Sequence, residues 1–366
     1  MRHRIGIVGL SPSRGWAVSA HIPALRALSD DYEITGVANT TLESSRAAAQ
    51  AFGIAHAFES VEAMAVSPHV DVVVVTVKVP HHKAVVETAI RHGKSVYCEW
   101  PLGNGLQEAI ELAALAREHR TLAVIGTQAI ASPEVVHIAK LVKDGYVGEI
   151  LASTYVGAGF VWGDEVSEGE AYAVDAIHGV TLLSVIGGHA MSAIQSALGD
   201  IVDLSAYLEQ RRRTVKVIET GATIPMKSAD QVLVAARLAS GAPVAIQLRG
   251  GLPLGTRLLW EIHGTEGDLR VTARISEVPV INISALKVEG ARKGETELRE
   301  IEVPTSDSAL LESGPVGRNV ASVYRMMARD LRDGSRTAPS FDDAVKLHRL
   351  VATVERAAQS GKRTSV

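Results

Sequence analysis

Asp71-Val72-Val73-Val74-Val75-Thr76-Val77, then residues 82–92, then Gly93-Lys94-Ser95-Val96-Tyr97-Cys98-Glu99-Trp100-Pro101-Leu102 are the stretches whose reading decides the fold. The valine run is too short for a helix and apolar throughout, as a strand buried on both faces is. Residues 82–92 read as a helix, and the second apolar run leads to a proline stop at Pro101. Strand, crossover helix and strand imply a parallel pair, and open parallel sheets bind ligands beyond the carboxyl ends of their strands. Glu99-Trp100-Pro101 falls at such an end.

Working outward, residues 4–10 form a short strand, 17–28 a helix, 33–38 a strand, and 42–52 an alanine-rich helix stopped by Gly53. Residues 106–119 continue as helix and 122–126 as strand. This alternation predicts a doubly wound parallel sheet of the Rossmann type over residues 1–128. Beyond Gly126 the texture changes. Residues 133–144 read as helix, 149–158 as a long strand and 171–198 as mostly helical. Alternating strands follow at 231–238, 243–250, 257–263 and 268–273, with turn signals between them, and helices at 320–332 and 341–358 close the chain. Residues 129–366 are therefore expected to be an α+β domain, its mainly antiparallel sheet covered by helices on one face. Val232, Val234, Val244 and Ile246 mark an apolar face that needs cover, which predicts a homodimer or homotetramer formed through that sheet.

The 366 residues are 46% hydrophobic and 21% charged, a globular composition with room for two domains. A formal net charge of -4 gives no global attraction to nucleic acid or to anionic membranes, and Arg211-Arg212-Arg213 reads as a solvated loop. Cys98, the single cysteine, excludes an internal disulfide framework and fits a reducing cytoplasm. The apolar start of the chain is too short for a signal peptide or a membrane span. A cytoplasmic protein is expected. No nearby spacing supplies three or four metal ligands.

Chemistry-bearing residues gather at the predicted strand ends. Gly9 opens a loop, Leu10-Ser11-Pro12-Ser13-Arg14-Gly15-Trp16, before the first helix, the arrangement that cradles a pyrophosphate. The loop is longer than Gly-x-Gly-x-x-Gly, and Ser11, Ser13 and Arg14 are candidate phosphate donors. After the second strand comes Asn39-Thr40-Thr41, with Arg46 nearby. A carboxylate there accepts from ribose hydroxyls and repels a 2′-phosphate. Neutral groups tolerate the phosphate, which favours NADP with NAD as the open alternative, while helix capping explains the threonines equally well. Lys78, in Val77-Lys78-Val79-Pro80-His81-His82, is placed to face the same crevice as Glu99, where desolvation lowers a lysine pKa. It serves either chemistry or anchoring of the ligand. Glu99 either contacts the ligand or caps the next helix. Trp100 can stack, but its indole N–H cannot accept a proton.

Several of these motifs resemble the glucose-fructose oxidoreductase/inositol dehydrogenase/MocA family. His21-Ile22-Pro23-Ala24-Leu25 resembles its His-x-Pro-Ala-Leu, and Glu99-Trp100-Pro101 its Glu-Lys-Pro, with Trp100 replacing the lysine that assists hydride transfer. His82 matches a family histidine, and Gln128 matches the start of Gln-x-Arg-x-x-Pro. The lengthened glycine loop and Val77-Lys78-Val79-Pro80 are similar to the branch containing the fungal galactose-pathway repressor. The family substrate helix, Asp-x-Gly-x-His, corresponds to Val185-Ile186-Gly187-Gly188-His189, with Val185 in place of the aspartate. The resemblance implies an NAD(P)-dependent oxidoreductase acting on a sugar, cyclitol or related polyol, or a non-catalytic NAD(P)-binding sensor. Proton-transfer candidates are His189, Lys78, and the pair Asp175 and His178, expected on one helix face and in one polar set with Tyr172. Expected dinucleotide contacts are Gly9, Leu10, Ser11, Ser13, Arg14, Gly15, Trp16, Asn39, Thr40, Thr41, Lys78, His82, Glu99, Trp100 and Gln128.

Overall fold

The computed structural model describes residues 2–274, 279–304 and 307–366. The chain divides into two compact units, Met1–Gln128 with Ser306–Lys346 and Ala129–Thr305 with Leu347–Val366.

The first unit opens with β1 (His3–Val8), a π-helical turn at Ala17–His21, α1 (Ile22–Ala27), β2 (Tyr32–Ala38) and α2 (Leu42–Phe52). It continues through β3 (His56–Phe58), α3 (Val61–Val66), β4 (Val72–Val75), α4 (His82–Arg91), β5 (Ser95–Glu99), α5 (Leu106–Glu118) and β6 (Ala123–Gly126). The sheet order is β3-β2-β1-β4-β5-β6, and every pairing is parallel. The order reverses between β1 and β4, which opens a crevice at the carboxyl ends of the strands. Val72 to Val75 are wholly buried, each stabilising the fold by about 1.5–3 kcal/mol relative to an exposed side chain. Local signals set the bounds of α2. Thr41 and Ser44 form a reciprocal capping box, and Gly53 ends the helix at φ 70°. β3 and α3 lie outside the sequence reading. β3 is a half-buried strand of three residues at the sheet edge, too short to carry a period.

The second unit contains α6 (Pro133–Lys143), β7 (Ile150–Gly159), β8 (Glu165–Val166), α7 (Gly188–Leu198), β9 (Ile201–Glu209), β10 (Thr214–Val217) and β11 (Thr223–Pro225). Then come β12 (Gln231–Leu238), β13 (Pro243–Gly250), β14 (Leu258–Gly264), β15 (Gly267–Ala273), β16 (Leu286–Arg292) and β17 (Arg299–Glu300). Nine strands pair in the order β17-β16-β15-β14-β7-β13-β12-β9-β18, where β18 is Thr364–Ser365. β7 and β13 run parallel and the other pairs are antiparallel.

Two expectations change here. Residues 171–187 are not a continuous helix but 3-10 turns at Ala171–Val174 and Ala176–His178 and a π-helical turn at Leu183–Gly187. Strand-like pairing competes locally, since Lys227 N–H donates to the Val174 carbonyl and Gly179 takes φ 72°. Val232, Val234, Val244 and Ile246 face inward and are buried. The uncovered face carries the residues one step out of phase, including Tyr207, Leu233, Ala235 and Ala245, because a strand alternates faces at every residue.

After β17, α8 (Ser308–Glu312) and α9 (Gly314–Asp333) return to the first unit, where α9 packs on α1. Arg325 pairs with Asp31 and Asp307 at 3.0 Å each. α10 (Phe341–Ser360) follows, its residues from Leu347 belonging to the second unit. Sequence order had assigned this whole segment to the second domain. Side-chain pairing about three hundred residues apart sends its part up to Lys346 back to the first unit.

Candidate functional site

The strand ends of the first unit bring together Gly9 after β1, Asn39 after β2, Lys78 after β4, Glu99 at the end of β5 and Gln128 after β6. Gly9 has φ 99°, and a Cβ there would sit 2.9 Å from Val77 Cγ1 and 3.0 Å from its main-chain nitrogen. Glycine is required at this point so that the β1 and β4 loops can approach each other. Ser13, Arg14 and Gly15 are exposed, and Ser11 is half-buried. Leu10 is wholly buried, so its side chain belongs to the core and only its backbone can serve a ligand.

Two buried polar atoms at these ends have no protein partner among the described residues, the indole Nε1 of Trp16 and the amide Oε1 of Gln128. Such groups cost about 1–3 kcal/mol each when unsatisfied, which fits a site completed by a polar ligand. The glycine turn, the helix start behind it and these two atoms fit a dinucleotide.

Asn39 is oriented by its own surroundings. Its Nδ2 donates to the Leu10 carbonyl at 2.8 Å and to the Ser44 carbonyl at 3.1 Å, while its oxygen accepts from no protein group among the described residues. Thr41 accepts from Ser44 N–H as the α2 cap, and the Ser44 and Ser45 hydroxyls donate to the Thr41 carbonyl. Capping therefore accounts for Thr41, and the polar cluster has fewer groups to offer a 2′-phosphate than its sequence implies. Thr40 and Arg46 remain exposed.

Lys78 is exposed rather than partly desolvated. His82 is 1% exposed and touches the Pro101 and Val77 carbonyls, each at 2.9 Å. Burial lowers its pKa, although both carbonyls act the other way. It ties the loop after β4 to the loop after β5. Trp100 is buried at the end of β5, and its bond to Pro101 is cis. Gly105, not Glu99, occupies the N-cap of α5. The Glu99 carboxylate accepts from His21 Nε2 at 3.0 Å, a contact with a group 78 positions away that no local motif reveals.

The second unit holds the remaining candidates. His189, in α7, is 3% exposed, its Nδ1 has no partner among the described residues, and burial lowers its pKa to about 3. An accessible, near-neutral base at this position is not what the fold provides. Asp175 caps the turn at Ala176–His178 by accepting from Ile177 N–H, and pairs with Lys227 at 2.9 Å. The Lys227 bond is the main cause that lowers its pKa. The helix face expected for Asp175 and His178 is absent because Asp175 has extended backbone. Tyr172 and His178 do meet, edge to face at 6.1 Å, and both are half-buried.

Comparison with known proteins matches this geometry. The family described as oxidoreductases with an NAD-binding Rossmann fold matches residues 3–127, and the Gal80p C-terminal domain type matches residues 133–273. The galactose/lactose metabolism regulatory protein of Kluyveromyces lactis is 30% identical over 300 residues, 76% of this chain and 66% of that protein. Dehydrogenase aclE of Aspergillus oryzae is 29% identical over 380 residues, 100% of this chain and 98% of that one. Sugar oxidoreductases are among the other relatives. A super-repressor mutant of Gal80p from Saccharomyces cerevisiae shares the fold with a TM-score of 0.89 at 24% identity, covering 100% of this chain and 98% of that one. Among the described residues no helix is long and apolar enough to cross a membrane. The chain belongs to the Gfo/Idh/MocA oxidoreductase family, in the branch with a Gal80p-like C-terminal domain.

Proposed function

We propose that the protein is an NAD(P)-dependent oxidoreductase acting on a sugar, cyclitol or related polyol. The observation that carries this reading is the strand-end crevice of the first unit, where Gly9, Asn39 and Glu99 converge and Trp16 Nε1 and Gln128 Oε1 await partners. When bound, the nicotinamide accepts or delivers the hydride. The chain's own work is then to hold the dinucleotide and the substrate and to move the alcohol proton. Burial of His189 passes that last task to the half-buried pair Tyr172 and His178, with Asp175 held in place by Lys227. The Asn39 oxygen, left as an acceptor, suits a ribose hydroxyl and supports NAD over NADP. We also infer a homo-oligomer through the uncovered face of the nine-stranded sheet, where Tyr207 is 57% and Leu233 46% exposed.

A second reading is favoured by two observations. Trp100 replaces the family lysine, and the matching histidine, His189, is sealed in the core. A dinucleotide-binding sensor needs neither group. Purified protein incubated with NAD or NADP and a panel of aldoses, sugar alcohols and cyclitols separates the readings through the absorbance of the reduced nicotinamide. Turnover with any substrate supports the enzyme. Dinucleotide binding without turnover across the panel supports the sensor, and no binding of either dinucleotide overturns both.

A further inference from the structure

Glu99 ends a chain of hydrogen bonds that begins deep in the first unit. Its Oε1 accepts from His21 Nε2 at 3.0 Å, and His21 Nδ1 lies 2.7 Å from the Tyr324 hydroxyl. His21, Tyr324 and Tyr97 are wholly buried, whereas the Glu99 side chain keeps 13% exposure. Burial holds the Tyr324 phenol well above its ordinary pKa, so it keeps its proton and donates to Nδ1. An imidazole that accepts at Nδ1 carries its proton on Nε2, which is the tautomer that donates to Glu99. The donors thus run one way, from Tyr324 to His21 to Glu99.

The chain is itself braced. Tyr324 stacks on Tyr97 with centroids 4.8 Å apart, the His21 ring meets both edge-on, and Tyr32 donates to the Tyr324 main-chain carbonyl at 2.7 Å. Its far end is sealed, so it cannot exchange protons with solvent and is not a shuttle. What it does is hold one carboxylate in one orientation at a strand end, beside a tryptophan that carries no charge.

We propose that Tyr324 and His21 are positioning residues that orient Glu99 as an acceptor for a hydroxyl of the bound dinucleotide's ribose. The inference rests on the dinucleotide reading of this crevice and holds for an enzyme and a sensor alike. An orienting second layer of this kind preserves geometry without touching the ligand.

The test is calorimetric titration of NAD and NADP into the full-length protein and into Tyr324→Phe, His21→Gln, His21→Leu, Glu99→Gln and the double variant Tyr324→Phe/Glu99→Gln, with thermal melts alongside. Tyr324→Phe keeps the aromatic stack and should weaken binding about 3–10-fold, the equivalent of one hydrogen bond. His21→Gln retains a donor near the Nε2 position and should bind more tightly than His21→Leu. In the Glu99→Gln background, Tyr324→Phe should add little, because its effect passes through the carboxylate. Binding by the parent protein with unchanged affinity in folded Tyr324→Phe and His21→Leu overturns the inference alone, as does full additivity with Glu99→Gln. Absence of binding by the parent protein overturns the dinucleotide reading and this inference with it.

Discussion

The Asn39 side chain is committed at its nitrogen and open at its oxygen, so it meets a ligand as an acceptor. Asn39→Asp gives up the two Nδ2 donations but adds a negative charge, which should shift preference further toward NAD by repelling a 2′-phosphate; the ratio of calorimetric Kd values for the two dinucleotides measures it. His189 and His178 make opposite predictions. His178→Ala should lower turnover by about 10²–10⁴ with dinucleotide affinity nearly unchanged, if this ring moves the proton. His189→Leu should leave turnover close to that of the parent because the ring is sealed in the core. Single-turnover kinetics of the two variants decides between them, and loss of activity confined to His189→Leu reverses the assignment. Of these features the residue identities were legible beforehand. Which atoms of Asn39 are engaged, and how deeply His189 is buried, depend on neighbours that sequence spacing does not supply.

Elements joined by local signals were legible almost to the residue. α2 has its capping box and terminal glycine, and β12 and β13 alternate cleanly around a tight turn. α9 is different. Its hydrophobic face is plain in the sequence, but its partner is not, since Tyr32 and Asp31 lie about three hundred positions away. Asp330, at its end, is 2% exposed and accepts from Ser335, Thr337 and Ala338. Burial alone would raise its pKa, yet these bonds hold it below the ordinary carboxylate value. Asp330→Ala strands the N–H groups of Thr337 and Ala338 and should destabilise the first unit by about 2–3 kcal/mol. Urea denaturation checks the loss, with hydrogen exchange at residues 334–340 as the local readout.

For the whole molecule, two expectations concern acid and assembly. His189 and His348 are buried with pKa values lowered to about 3 and about 4 from 6.5, burial being the cause in each. The unfolded chain therefore binds more protons below pH 6.5, so their contribution is complete above that pH and falls away toward pH 4 and below. Each histidine costs up to about 3 kcal/mol near pH 4. The melting temperature should drop steeply between pH 6.5 and 4, and His189→Leu should flatten part of that slope. A melting temperature independent of pH across this window contradicts the burial argument. The uncovered sheet face predicts a dimer or tetramer by light scattering. Leu233→Arg, by placing charge in that stripe, should yield monomers without a lower melting temperature for the protomer. A parent protein that is monomeric at micromolar concentration removes the assembly inference.

The sequence by itself determined the two architectures, because strand and helix periods, caps and turn residues are local properties read within ten or twenty positions. It also determined the strand-end residues, since parallel topology places them there once the strands are known. Tertiary structure alone decided which face of the nine-stranded sheet is covered, where α9 packs, and what Glu99 touches. Each depends on contacts between segments far apart in the chain, and a period of two or 3.6 residues carries no information about which distant surface completes it.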